Sequence, residues 1–150
     1  MIKLGRLTDY AVTVLTQMVS GGERVWAASD LAQKACLPLP TVSKVLKQLS
    51  KSGLVRAQRG AAGGYRLAQP ASLISVAAIV EAMDGPIALT ECAEGGDHNC
   101  HVEPICPMRG NWNKVNRAVR HALETVSLAE MILPSAAKHV HPENFPSEGL

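Results

Sequence analysis

Three of the chain's four cysteines, Cys92, Cys100 and Cys106, share one short stretch in the spacing C-x7-C-x5-C. Around them stand Gly95, Gly96, Asp97, His98, His101 and Pro104. The stretch has neither helical nor strand periodicity. Its glycines and proline describe a loop able to wrap three thiolates around something small and soft. Thiolates select zinc, copper(I) or an iron–sulfur cluster over hard cations. Structural zinc usually uses tight C-x2–4-C pairs, absent here, and the wider spacings suit the corners of an iron–sulfur cluster. The plainer alternatives are ordinary reduced cysteines, or one disulfide with a thiol left over. His98 and His101 are secondary candidates, since imidazole also binds iron and zinc; the plainer reading makes them exposed loop residues. The remaining cysteine, Cys36, lies among apolar neighbours and reads as a small core residue.

The 150 residues are enough for one domain and an appendage. The net charge of +2 hides a division. Residues 1–70 carry ten Lys and Arg against Asp9, Glu23 and Asp30, a net of +7; residues 71–150 carry five against ten acidic residues, a net of −5. A basic half beside an acidic half points to an anionic partner such as nucleic acid for the first. Aromatic residues make up only 3%, which argues against a base-stacking binder of single strands. No long apolar run or leader is legible, so a cytoplasmic protein with reduced thiols and no membrane partner is expected. No constellation of nucleophile, acid and base stands out, so an enzyme is not expected.

The elements that must position the loop can be read in order. Tyr10, Ala11, Val14, Leu15 and Met18 recur at helical spacing, with Thr8 as a possible cap and Ser20-Gly21-Gly22 as a stop. A short helix over 29–35 turns at Leu37-Pro38-Leu39-Pro40 into a third, with Val42, Val45, Leu46 and Leu49 on one face. Strands near 54–57 and 65–67 flank a glycine-rich tip. Helix, helix, turn, helix and basic hairpin make a winged helix-turn-helix, whose third helix would enter the major groove of double-stranded DNA. The candidate DNA contacts are Thr41, Ser43, Lys44, Lys47 and Gln48 on that helix, with Arg59, Gly60 and Tyr65 on the wing. Ser75 caps a fourth helix over 76–83. Pro107 can begin a long helix to about Thr125, in which Met108, Trp112, Val115, Val119, Ala122 and Val126 form a seam suited to pairing with its twin in a homodimer. The alternative is that this seam packs back onto the first helix. The expected division is a DNA-binding domain over 1–84, a cysteine loop over 85–106, a dimerisation helix over 107–133 and a disordered tail over 134–150. The fold class is mostly α with a small β-hairpin wing.

Leu7-Thr8-Asp9-Tyr10-Ala11-Val12, Lys51-Ser52-Gly53-Leu54-Val55, and Arg59-Gly60 with Gly63-Gly64-Tyr65-Arg66-Leu67 resemble the Rrf-two family of bacterial regulators. So does a three-cysteine loop followed by a long helix. The resemblance covers roughly residues 1–133 and is greatest to regulators of SUF iron–sulfur assembly operons. It implies a homodimer on a palindromic operator, with a 2Fe–2S or 4Fe–4S cluster on the cysteines whose state sets DNA affinity, and repression of assembly genes. A thiol-based or nitric-oxide-sensing regulator without a stable cluster is the alternative. IscR-type members place a histidine ligand three residues after the last cysteine, where this chain has Arg109. A guanidinium has no lone pair to give. NsrR-type members use an aspartate of the first helix, which Asp9 matches. The resemblance thus implies Asp9 of the partner subunit as fourth ligand, ahead of His98 and His101.

Overall fold

The stripe Ala11, Val14, Leu15 and Met18 becomes the buried face of α1 (Arg6–Ser20) in the computed structural model, which describes residues 3–132. Thr8 is not the cap. It lies inside the first turn, fully buried, and its hydroxyl donates to Asp84 Oδ2 at 2.7 Å. The amide of Gly5, which occupies the cap position, donates to the same oxygen at 3.1 Å. The helix start is therefore satisfied by a carboxylate from far along the chain, a partner that local capping rules do not reveal.

α2 (Ala28–Ala35) and α3 (Leu39–Lys51) form the helix-turn-helix, with Leu31, Ala32, Val42, Val45, Leu46 and Leu49 buried. Pro40 sits in the first turn of α3, where its missing N–H leaves no helical bond unmade. Cys36 corrects the sequence reading. It closes α2 in a left-handed conformation (φ 53°) and is exposed. Its place in the turn lies off the face that Leu31 and Ala32 bury, and half-buried Leu37 packs on the core instead.

β1 (Val55–Gln58) pairs antiparallel with β2 (Gly64–Leu67) in the register Val55↔Leu67, Arg56↔Arg66, Ala57↔Tyr65, Gln58↔Gly64. Trp26 extends this hairpin through a bridge to Tyr65, its amide donating to Tyr65 O at 2.7 Å and its carbonyl accepting from Tyr65 N at 2.8 Å. α4 (Val76–Asp84) is capped by Ser75, whose Oγ accepts from Ala78 N at 3.1 Å.

After the cysteine loop come α5 (Trp112–Glu124) and α6 (Leu128–Ile132). The expected start at Pro107 is corrected. Gly110 adopts φ 76°, which a right-handed helix cannot accommodate, so residues 107–111 are turns and Met108 falls outside the helix. The chain then returns to the first core. Leu128 is fully buried there, Val76 N donates to Val126 O at 2.9 Å, and Leu128 N donates to Ile74 O at 2.8 Å. The end of the expected 107–133 segment thus also belongs to the core formed by residues 6–84. The tail over 134–150 lies outside the described residues. Among the described residues no helix is long and apolar enough to cross a membrane.

Candidate nucleic-acid interface and cysteine loop

Burying one face of α3 presents the other. Ser43, Lys44 and Lys47 are exposed, while Thr41 and Gln48 are half-buried at its margins. Gln48 Oε1 is buried and has no partner among the described residues. Arg59 and Gly60 stand exposed at the hairpin tip, where Gly60 takes φ 113° and so holds the turn without strain. Tyr65 is different: half-buried, it packs against the core while its backbone pairs with Trp26. Arg56, Arg66 and Arg24 add exposed cations near the base of the wing. The arrangement offers side chains of groove-entering length on one helix and a cationic loop beside it, which can contact both base edges and phosphates of a duplex.

The cysteine loop is held by two asparagines that sequence reading passed over. Asn116, almost fully buried on α5, accepts from Leu89 N at 2.9 Å and donates to the carbonyls of Ile87 at 3.0 Å and Glu94 at 3.1 Å. Asn113 accepts from Glu94 N at 2.9 Å. One signal was available: asparagines at i and i+3 on a helix whose other positions carry charges and an apolar seam. Ala93 is fully buried and Gly96 lies against the carbonyls of Glu91 and Thr90, where no side chain fits. The first half of the loop is thus fixed by α5 itself.

Within this frame the three cysteines form no disulfide and are half-buried. Cys92 Sγ lies 3.5 Å from Thr90 Oγ1. Cys100 lines a hollow with His98, Glu103, Pro104 and Arg109. Glu103 gathers this corner: His98 Nδ1 donates to its Oε1 at 3.0 Å, and Arg109 Nε lies 3.8 Å from the same oxygen. A carboxylate only accepts, so the proton is on Nδ1 and Nε2 stays free when the ring is neutral. His98 adopts φ 54°, an uncommon conformation for a non-glycine residue. His101 is exposed, and so is Asp9 in the first turn of α1. Among the described residues no three His, Cys, Asp or Glu side chains converge to hold a metal ion. The structure therefore places three free thiols on one anchored loop but does not bring them together. Their donor chemistry fits a soft metal or an iron–sulfur centre, while their present spacing is not a finished coordination set.

A mostly helical chain with an exposed polar recognition helix and a basic hairpin is a winged-helix protein. Residues 4–134 match the family described as "Rrf2: Iron-dependent Transcriptional regulator", and the chain belongs to that family. It is similar to protein aau3 of Rhizobium meliloti (strain 1021), at 28% identity over 87% of this chain and 85% of that one. Among solved structures it is similar to CymR (YrzC), the global cysteine regulator of B. subtilis, at 25% identity, TM-score 0.67, covering 88% of this chain and 97% of that one. T. potens IscR shares the fold at 24% identity and TM-score 0.61, covering 87% and 86%. The protein is thus a transcriptional regulator, and regulators of this family bind DNA and act as dimers.

Proposed function

We propose that the chain is an operator-binding regulator whose cysteine loop carries an iron–sulfur cluster and whose cluster state sets DNA affinity, acting as a repressor of SUF-type iron–sulfur assembly genes. The observation that carries the DNA reading is the division of α3 into a buried apolar face and an exposed face of Ser43, Lys44 and Lys47, beside exposed Arg59. Thr41, Gln48, Gly60 and Tyr65 complete the proposed contact set, Tyr65 through the hairpin it braces. The partner is a second copy of the chain: α5 leaves Trp112 and Val115 exposed at 40% and 45%, beside exposed Ala122 and half-buried Val119. Such a dimer would set two recognition helices about 34–36 Å apart, or a multiple, on a palindromic site. Arg59→Ala should weaken duplex binding and reduce the salt slope by about one for each phosphate it no longer neutralises. An unchanged slope and affinity would refute the wing's role.

Cys92, Cys100 and Cys106 would hold the cluster, which when bound supplies a one-electron and ligand-exchange centre. The chain's own part is to present three thiolates from a loop tied to α5 by Asn113 and Asn116. For the fourth position the partner subunit's Asp9 is proposed, with His98 as rival because Glu103 orients its ring and leaves Nε2 free. Protein prepared without oxygen should be coloured, with iron and sulfide lost in Cys92→Ala, Cys100→Ala and Cys106→Ala and kept in Cys36→Ala. Asp9→Ala, His98→Ala and His101→Ala are then compared by spectrum and by decay in air; a wild-type spectrum and decay rate in Asp9→Ala removes Asp9. The thiols' lack of convergence, and the likeness to a cysteine regulator, favour one second reading: a thiol-based regulator without a stable cluster. A colourless, iron-free protein whose DNA binding responds to oxidant supports that reading.

A further inference from the structure

A cavity of about 410 Å³ lies between the end of α1, the turn at Gly22–Arg24 and the base of the hairpin. Its walls include Arg24, Arg56 and Arg66 against a single carboxylate, Glu23. Among the described residues none of the three guanidiniums is within ion-pair distance of a carboxylate. Arg56 and Arg66 are moreover directly opposed in the β-register, an arrangement in which like charges destabilise a hairpin. Arg24 is held in place, its guanidinium carbon 3.4 Å from the Trp26 ring centroid. Trp26 shares the wall and is only 2% exposed, and its indole N–H has no acceptor among the described residues. That N–H has no accessible surface, so an oxygen in the cavity does not reach it, and the ring's part is to seat Arg24. Three uncompensated guanidiniums around one cavity call for an anion bearing several oxygens.

We propose that this cavity binds a small oxyanion, a phosphate- or carboxylate-bearing molecule, through Arg24, Arg56 and Arg66, with the Trp26 ring holding Arg24 in place and reporting on it. Such a ligand screens the opposed arginine pair and ties the wing to the end of α1. A backbone phosphate of DNA offers the same chemistry; the recess of the site between the end of α1 and the Ala68–Ala71 segment favours the small molecule, and the test separates the two.

The test follows the two indole N–H resonances of the full-length protein, assigned with Trp26→Phe and Trp112→Phe. Inorganic phosphate and citrate are added separately at constant ionic strength, with chloride as control. The Trp26 resonance should move saturably while that of Trp112 stays, and affinity should fall about tenfold in Arg24→Gln and Arg66→Gln. Arg56→Gln should weaken the probes yet raise the melting temperature of the ligand-free protein, because it relieves the opposed pair. A linear drift matching chloride, unchanged affinity in all three variants, or a lowered melting temperature in Arg56→Gln overturns the proposal. Movement with a DNA duplex but with neither small probe assigns the arginines to a nucleic-acid phosphate and likewise overturns it.

Discussion

Residues 6–84 and residues 85–111 are fixed in place by opposite means. In the first, helices α1 to α4 and the hairpin close on a dry cluster that includes Leu15, Met18, Leu31, Leu46, Leu49 and Ile79, all fully or almost fully buried. In the second, Ala93 is the buried apolar residue, and the backbone hangs on hydrogen bonds from Asn113 and Asn116. Apolar packing is non-directional and cumulative, so the DNA-binding half tolerates small shifts but not a loss of volume. A polar anchor is directional and few-membered, so the loop depends on individual atoms. Local stability is lowest where buried apolar contacts are few, and the loop's construction places it at that low end.

That contrast can be broken from either side. Leu46→Ala removes a fully buried side chain between helices and should cost about 2–5 kcal/mol, read as a lower urea midpoint for the whole domain. Loss of well under 1 kcal/mol would show a core that collapses around the gap. Asn116→Ala should act locally: Leu89 N, Ile87 O and Glu94 O lose their partner, a cost of about 1–3 kcal/mol. Hydrogen exchange should speed up at the Leu89 amide while amides of α1 and α3 stay protected; equal loss in both regions would mean that the two halves are one cooperative unit.

The smallest effect concerns α6. Glu130 is held below the ordinary carboxylate value by accepting first from the Ser127 backbone N–H and then from its hydroxyl, at 2.7 Å each. Its folded value lies below its unfolded one, so the cap contributes fully above the unfolded value and is lost as pH falls through the folded one. Acidification across that window should loosen α6 in wild type more than in Glu130→Gln. Equal loosening in both would deny the cap a part in the pH response.

Periodicity made α1, α3, α4 and the wing legible, because their apolar positions repeat at the period of the element and the turns between them carry glycine or proline. The thiols, too, were legible as chemistry by count and spacing. What escaped were relations between distant residues. Asp84 as partner of Thr8, Trp26 as an added strand and Asn116 under the loop are all long-range hydrogen bonds that no local pattern encodes. Cys36 misled because apolar neighbours in sequence do not say which way a turn residue faces. The start of α5 was misplaced because a proline permits a helix at 107 while Gly110 forbids it from continuing.

Asp84 occupies the last position of α4, directly before the chain enters the cysteine loop, and a single oxygen of its carboxylate receives both the Gly5 amide and the Thr8 hydroxyl. The loop's root and the first turn of α1 are thus pinned to one atom. A rearrangement that tugs on Gly85 need not travel through the hydrophobic interior to be felt by the helix-turn-helix. It is delivered at the tip of α1, the helix against which α2 and α3 lean, as a pull on a cleat moves the rope made fast to it. A wider side chain at Gly5 would strike that carboxylate, so the fastening leaves no slack at its helix end.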